Sequence, residues 1–333
     1  MNTSNKSDVV DLLIVGAGVA GSAVALSCAP ALRRILLLHA PDEFDRIESL
    51  SPDACRMLAR HSITVGVPIS EIVAWWGSAR RAVAPCPGAR IGSRRELANQ
   101  MRKAVGESAI ILRCKPNISV SRKNEVWEVK FCDEQGDPTI VSAKNICDAT
   151  GRRSALGRAV GASRKFFDHL CCAFVPLSDA AEIGTFTEAV FNGWWNLCSD
   201  GSRGTLAFYS TPRIIKQTKG DLKCLFEGTM ELKKIASVSS DNMVGVNVCD
   251  SSLLSPCAGE GWFAVGDAAA SFQPITSAGT AKALRDGFHS LAVTNGDARG
   301  YNLRYATEFE SYFRELKIQY GFEKRWKDSD FWK

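Results

Sequence analysis

Two glycine motifs, nearly a whole chain apart, constrain this sequence more than any other feature. Near the start, Asp11 is followed by Leu12-Leu13-Ile14-Val15, an apolar run suited to a strand buried on both faces. Gly16-Ala17-Gly18-Val19-Ala20-Gly21 follows at once, and Ser22 to Ala29 reads as a helix of small residues. In such a turn Gly16 permits the sharp reversal, Gly18 lets a phosphate approach the backbone, and Gly21 lets the helix pack close to the strand. The helix N-terminus then offers N–H groups and a positive dipole end to a pyrophosphate. Arg33 to His39 reads as the second strand of a βαβ unit. Dinucleotide folds usually end that strand in Asp or Glu, which binds ribose hydroxyls. His39 stands there instead; it can hydrogen-bond a hydroxyl, and Asp42 or Glu43 is the substitute.

The second motif is Gly266-Asp267-Ala268-Ala269-Ala270, with Pro274 and Gly279 beyond it. Trp262-Phe263-Ala264-Val265 before it reads as a buried strand, and Asp267 at its end can accept hydrogen bonds from ribityl hydroxyls. Pro274, Ser277, Ala278 and Gly279 suit a loop that passes beneath a flat ring. The N–H groups of Gly279 and Thr280 open the next helix, with their dipole toward that ring. A third element, Asp148-Ala149-Thr150-Gly151-Arg152-Arg153-Ser154 with Arg158, is a strand end followed by a basic turn. The first motif alone recurs in several nucleotide folds, and the second alone reads as a glycine-rich loop. In this order they imply one strand–helix unit at the pyrophosphate of FAD and another at its ribityl chain and flavin. A helix dipole at the flavin N1/O2 edge would stabilise the anionic reduced form.

The chain has 333 residues and 45% hydrophobic content, enough for one large or two modest domains. Its net charge is +5. The basic residues come as scattered pairs such as Arg33-Arg34 and Arg94-Arg95, so nucleic-acid binding is not expected. Its 12 cysteines include no CxxC pair, and metal-ligand spacing is absent. The first apolar stretch reads as the dinucleotide strand and not as a signal peptide, and no run is long enough to span a membrane. A cytoplasmic protein follows, with thiols mostly reduced and buried and one of them open to a redox role.

Residues 1–7 are polar and expected to be disordered. Helices are expected over Pro52–Ser62, from Ser93 as N-cap, over Asp221–Ile235, over Thr280–Leu291 and over 301–326. Ile110–Leu112, Asn117–Val120, Val126–Cys132 and Thr139–Ser142 alternate as strands of a β-meander inserted before Asn145. Leu170–Leu177, Gly184–Val190, Trp194–Cys198 and Thr205–Ser210 read as antiparallel strands of a substrate-facing sheet. The fold class is α/β, α+β overall. The expected division is an FAD-binding domain over 1–161, a substrate domain over 162–255, and a return to the FAD-binding domain with a C-terminal helix over 256–333.

These residues resemble the flavoprotein monooxygenase and tryptophan-halogenase superfamily. Within it they are most similar to the branch that helps make tryptophylquinone cofactors in quinoprotein amine dehydrogenases and oxidases. The resemblance rests on Glu48-Ser49-Leu50-Ser51-Pro52, Trp76-Gly77-Ser78, Arg94 with Leu97, Asp148 to Arg158, Gly193-Trp194-Trp195, Gly261 to Ala269, Pro274 to Gly279 with Lys282-Ala283-Leu284-Arg285, and Tyr320 to Trp332. It implies a glutathione-reductase-type, Rossmann-like FAD domain with an antiparallel-sheet substrate domain. FAD contacts are then expected at Gly16, Gly18, Ala20, Gly21, His39, Arg94, Thr150, Gly151, Gly266, Asp267, Ala268, Pro274, Ser277, Ala278, Gly279 and Thr280. It implies oxygenation of an aromatic ring, an indole or phenol, through a flavin hydroperoxide made from reduced flavin and O2. The branch acts on a tryptophan of a partner protein. Thr150 stands where many hydroxylases have Asp, so their usual nicotinamide-driven reduction is not implied. The halogenase W-x-W-x-I-P signature is absent, since Trp194-Trp195-Asn196-Leu197-Cys198 does not fit it, and halogenation is not expected.

An oxygenating flavin needs a dry, shaped pocket more than an acid–base pair. Phe191, Trp194, Trp195, Phe208 and Phe272 are the candidate walls, against the plain alternative of core aromatics. His169 and His289 are candidate bases, against the alternative of surface histidines; no catalytic residue is assigned. Three functions stay open: a monooxygenase acting on a free or peptide-borne aromatic substrate; an FAD oxidoreductase that inserts no oxygen; and a non-catalytic FAD-binding partner of a biosynthetic complex. Electrons are expected from NADH, NADPH or a separate flavin reductase.

Overall fold

The computed structural model describes residues 9–40, 45–178, 182–218, 221–238 and 245–332. The expectations for residues 1–7 and for Asp42 and Glu43 lie outside these. The first half of the chain forms Val10–Val15 (β1), Val19–Cys28 (α1), Ile35–His39 (β2), Ile47–Leu50 (β3), Pro52–Ala59 (α2), Val67–Trp75 (β4), Ala82–Ser93 (β5), Arg94–Val105 (α3), Ile110–Lys123 (β6), Val126–Asp133 (β7), Pro138–Asp148 (β8) and Ala155–Ala159 (α4). There follow Ser163–Phe166 (β9), Cys171–Leu177 (β10), Gly184–Val190 (β11), Gly193–Ser199 (β12), Gly204–Ser210 (β13), Pro212–Gln217 (α5) and Lys223–Glu227 (α6). The last part holds Gly245–Val248 (β14), Ser252–Ser255 (β15), Ala258–Gly259 (β16), Trp262–Ala264 (β17), Ala270–Ser271 (β18), Gly279–Phe288 (α7), Leu291–Thr294 (α8) and Ala298–Gly321 (α9).

The apolar run Leu12–Val15 is buried because β1 lies between β2 and β8, parallel to both. With β6 beside β2 and β17 beside β8, the parallel order is β6-β2-β1-β8-β17. Strands buried on both faces read as unbroken hydrophobic stretches, which is why the alternation of an exposed strand is missing here. β6 and β8 are long enough to serve two structures. Ile110 to Arg113 pair with β2, and Ile118 to Lys123 pair antiparallel with β7 after a register irregularity. The two short strands expected at 110–112 and 117–120 are thus one bent strand, and the meander stands beside the parallel sheet.

The second sheet has eight strands in the order β14-β10-β13-β12-β11-β4-β5-β3. It does not stay within 162–255: β3, β4 and β5 come from residues 47–93, and β4 pairs parallel with β11. The 161/162 boundary therefore does not separate the two sheets. Alternation gives this sheet two distinct faces. Cys171, Ala173, Trp195, Leu197, Leu206 and Phe208 pack with Ile214, Ile215 and Phe226 of α5 and α6. Cys172, Phe174, Trp194, Ala207 and Tyr209 look the other way, onto Ile275.

The helix expected over 221–235 is broken. α6 ends at Glu227, Thr229 Oγ1 donates to Phe226 O at 2.7 Å, and a 3-10 turn spans Leu232–Lys234. The cause is Glu188, whose buried carboxylate accepts from the N–H groups of Met230, Glu231 and Leu232 at 2.6, 3.1 and 2.8 Å. A side-chain anion collects donors that a continuous helix would have used internally. The last helix ends at Gly321 and not at 326, and the chain then folds back over the second sheet.

Candidate functional site

Three segments far apart in the sequence meet at the C-terminal edge of the parallel sheet, where open α/β sheets bind their ligands. Gly16 sits at φ +111, and a Cβ there would lie 2.2 Å from Ala149 O. A Cβ on Gly21 would lie 1.9 Å from Gly16 O and 3.1 Å from the Ala149 Cβ; one on Gly266 would lie 2.9 Å from the Ala20 Cβ. Glycine at these positions lets the first motif, the strand end at Ala149 and the second motif touch. Lys282 of α7 reinforces the junction: its Nζ donates to Gly266 O at 3.0 Å and to Asp286 Oδ2 at 2.7 Å, with both side chains buried.

The faces left over by this packing suit a dinucleotide. A Cβ on Gly18, on Gly151 or on Gly279 would meet nothing within 4 Å. Gly18 and Ala278 stand just before the first residues of α1 and α7, and neither N-terminus has a side-chain cap. Their first N–H groups are therefore available to an anion or to a polarised ring edge. In the loop before α7, the Thr276 hydroxyl is buried without a protein partner. Open backbone at Gly18 fits the pyrophosphate of FAD; the α7 N-terminus with Thr276 and Gly279 fits the flavin end. His39 ends β2 with Leu38 O accepting from Gly16 N at 3.0 Å, so it borders the same loop. Arg94 opens α3 with its Nη1 3.2 Å from Glu48 Oε1. Pro274 begins the 3-10 turn that leads to α7, and Ser277 caps its end.

Thr150, one of the expected ligand contacts, organises the strand end. Its N–H and hydroxyl donate to Asp148 Oδ1 at 2.9 and 2.6 Å, while its Oγ1 accepts from Ala155 N at 2.8 Å. Asp148 Oδ2 accepts from Gly157 N at 2.7 Å. Burial raises the Asp148 carboxyl above its ordinary value, and these donors oppose the rise. The basic turn contributes Arg152, which donates to Phe272 O at 2.9 Å and approaches Asp267 Oδ2 at 3.6 Å. Arg164, which the sequence did not single out, donates to Asp267 O at 2.9 Å, to Ala268 O at 3.1 Å and to Ser271 Oγ at 2.8 Å. It sits on a short polar strand with no motif around it, so only the pairing of β9 with β15 brings it here.

The candidate pocket walls separate. Trp194 lies on the face toward Ile275, stacked on Tyr209 at 3.9 Å between ring centroids. Trp195 and Phe208 are corrected: period-2 alternation turns them to the opposite face, into the layer of α5 and α6. Phe191 is half-exposed beside a tight turn between β11 and β12. Phe272 stacks its ring on Tyr312 of α9 at 3.9 Å and packs against the hydrophobic core around the parallel sheet. His169 and His289 are both exposed.

The wall that the structure adds is aromatic and comes largely from the end of the chain. Trp76 meets Trp194, Tyr320 and Trp332 edge to face at 6.2, 5.9 and 5.2 Å. Trp194 Nε1 donates to Tyr320 OH at 3.1 Å, and Tyr320 donates to Gln273 Oε1 at 2.8 Å. Gln273 N donates to Tyr312 OH at 2.7 Å. One hydrogen-bonded chain thus ties the aromatic face to the loop before α7. Among the described residues, no group of three or more His, Cys, Asp or Glu is arranged to hold a metal ion, and no helix is long and apolar enough to cross a membrane.

No family model matches the chain. LodB of Marinomonas mediterranea, provisionally named an FAD-dependent oxidoreductase, is 26% identical over 97% of this chain and 95% of its own length. The fold is similar to that of QhpG, a peptidyl tryptophan dihydroxylase essential for tryptophylquinone cofactor biogenesis, with TM-score 0.83 and 17% identity over 97% of this chain and 78% of that one. It is also similar to the myxobacterial chondrochloren halogenase CndH, with TM-score 0.82 and 18% identity over 98% and 85%. The p-nitrophenol 4-monooxygenase PnpA of Pseudomonas putida DLL-E4 gives TM-score 0.72 and 13% identity over 90% and 83%. Taken with the converging glycine segments, these likenesses give the chain the fold of the flavin-dependent monooxygenases and halogenases.

Proposed function

We propose that this chain is an FAD-dependent monooxygenase that oxygenates an indole or phenol ring carried on a peptide or protein. The observation that carries the reading is one juxtaposition. The aromatic face of Trp76, Trp194 and Tyr209 packs against Ile275, in the loop that leads to the open N-terminus of α7. The likeness to QhpG, which acts on peptidyl tryptophan, supports the same substrate class. FAD supplies the redox chemistry when bound, with O2 as co-substrate. The chain's own part is binding, positioning and exclusion of water. The α1 N-terminus and Gly18 hold the phosphates, Asp267 with Arg152 faces the ribityl hydroxyls, and the α7 N-terminus orients the ring edge. The aromatic face keeps the reacting ring out of water.

The test starts from the absorbance spectrum of the purified protein, followed by anaerobic NADH or NADPH. A flavin band that bleaches identifies a nicotinamide donor; one that persists points to a separate flavin reductase. The reduced protein is then exposed to O2 and a tryptophan-containing peptide. Monooxygenation adds an oxygen atom to the peptide, whereas an oxidoreductase without oxygen insertion changes only its hydrogen count. No flavin after reconstitution refutes the reading.

A further inference from the structure

Cys172 and Cys249 have no part in that function, and the fold brings them together. β14 runs antiparallel to β10 with Val248 opposite Cys171 and Asn247 opposite Cys172. Just beyond the pairing, Cys249 N donates to Leu170 O at 2.7 Å. Side chains opposite one another share a face, so Cys172 and Cys249 are diagonal neighbours on the face that carries Trp194 and Tyr209. Both are buried, at 3% and 8% exposure. The Cys172 thiol beside it holds Cys249 below its ordinary value, with help from Arg152 and Arg46 against the effect of burial. The Cys249 sulfur beside it, together with burial, raises Cys172. Of the two, Cys249 is the sulfur whose surroundings favour ionisation, and so the better nucleophile.

The pair stands close to the segments described above. Asp250, next in the chain, has its carbonyl bonded by Arg152 Nη1 at 2.6 Å, and Arg152 continues to Phe272 O and Asp267. Cys172 and Cys249 belong to the same apolar cluster as Trp194, onto which Ile275 packs. β14 is the edge strand of its sheet. Among the described residues no further strand pairs with its outer side to resist the backbone movement that an S–S bond between diagonal neighbours requires.

We propose that Cys172 and Cys249 are a peroxide-reactive dithiol that closes to an intramolecular disulfide. The Cys249 sulfur attacks hydrogen peroxide; an S–O bond forms, the O–O bond breaks, and the departing hydroxide takes up a proton as water. The Cys172 sulfur then attacks Cys249; the S–S bond forms, the S–O bond breaks, and the second water leaves with the Cys172 proton. Two thiols and one peroxide give one disulfide and two waters, with the thiols oxidised by two electrons and the peroxide reduced by two. A reduced flavin that meets O2 without substrate releases peroxide, and this source rests on the proposed function. The dithiol would consume it beside the aromatic face.

The full chain, reduced and desalted, is treated with one equivalent of hydrogen peroxide, denatured in N-ethylmaleimide and mapped by peptide mass spectrometry. Two of the 12 cysteines are expected to escape alkylation. A cross-linked peptide should join the segments of Cys172 and Cys249, while the exposed Cys224 stays alkylated. Cys171→Ser should keep the link. Cys172→Ser should abolish it and leave Cys249 as a sulfenic acid that dimedone traps. Full alkylation of both cysteines in the unaltered chain, oxidation of Cys224 ahead of them, or a link through Cys171 overturns the proposal. The peroxide is added and flavin content is measured separately. A link in a protein that binds no FAD would refute the proposed function and leave the dithiol standing.

Discussion

Gly18 and Gly21 are three residues apart in one motif, yet replacing each by alanine should damage a different property. At Gly21 the new methyl would sit 1.9 Å from a backbone carbonyl and 3.1 Å from the Ala149 Cβ. Neither neighbour is a flexible side chain, so α1 must move off β1. Overpacking of this kind typically costs about 1–3 kcal/mol, and more where the neighbours cannot give. At Gly18 the backbone is at φ −77, open to any residue, and the methyl meets nothing within 4 Å. Alanine at this helix start should cost the apoprotein at most about 1 kcal/mol. If that open space receives the FAD pyrophosphate, the same methyl displaces it from the α1 N–H groups. Losing one hydrogen bond to a charged group is worth about 1.5–3 kcal/mol, or about 10- to 150-fold in Kd. Thermal unfolding of both apoproteins, followed by FAD titration monitored by flavin fluorescence, separates the effects. Gly18→Ala should keep the apoprotein melting temperature close to that of the parent and bind FAD weakly. If Gly18→Ala binds FAD like the parent, the phosphates do not sit at this helix start and the assignment of the first motif is wrong.

Tyr320→Phe leaves the Trp194 indole N–H and the Gln273 carboxamide without their partner. It should cost about 1–3 kcal/mol and weaken FAD binding more than Trp195→Phe does, as read by denaturant unfolding and the same titration. Lys282→Met breaks a buried ion pair and should cost about 3–5 kcal/mol, measured by chemical denaturation. Glu323 accepts from Gly77 N at 2.9 Å and from Arg325, and these contacts outweigh burial to hold its carboxyl below the ordinary 4.5. Because the folded value is the lower one, the stabilisation is present above pH 4.5 and is lost as pH falls through that folded value. Acidification should release the Glu323 tether to Gly77, seen as a red shift of tryptophan fluorescence that Glu323→Gln shows already at pH 7.

Much of the nucleotide half was legible because its signals are local. A strand buried on both faces is written as an unbroken apolar run, and a backbone that must approach another backbone is written as glycine. Gly16, Gly21 and Gly266 each meet a main-chain or small-residue neighbour that leaves no room for a side chain. The aromatic face was legible only by half. Trp194 and Trp195 are adjacent and chemically alike, and which of them faces Ile275 depends on the register with β13, where Trp194 lies opposite Tyr209 and Trp195 opposite Phe208. A one-residue shift would exchange them. The broken helix after residue 221 depends on Glu188, a residue on a strand far earlier in the chain.

By itself the sequence determined the parallel strand–helix units and the order of the three segments that meet at the sheet edge. Each of these follows from the spacing of apolar runs and glycines along a short stretch of chain. Only the tertiary structure decided that residues 47–93 complete the second sheet, that Arg164 holds the Asp267 turn, that the chain end supplies Tyr320 and Trp332 to the aromatic face, and that Cys172 meets Cys249. Those contacts join residues distant in sequence. Long-range register and chain reversal set them, and no local pattern of residue types encodes either.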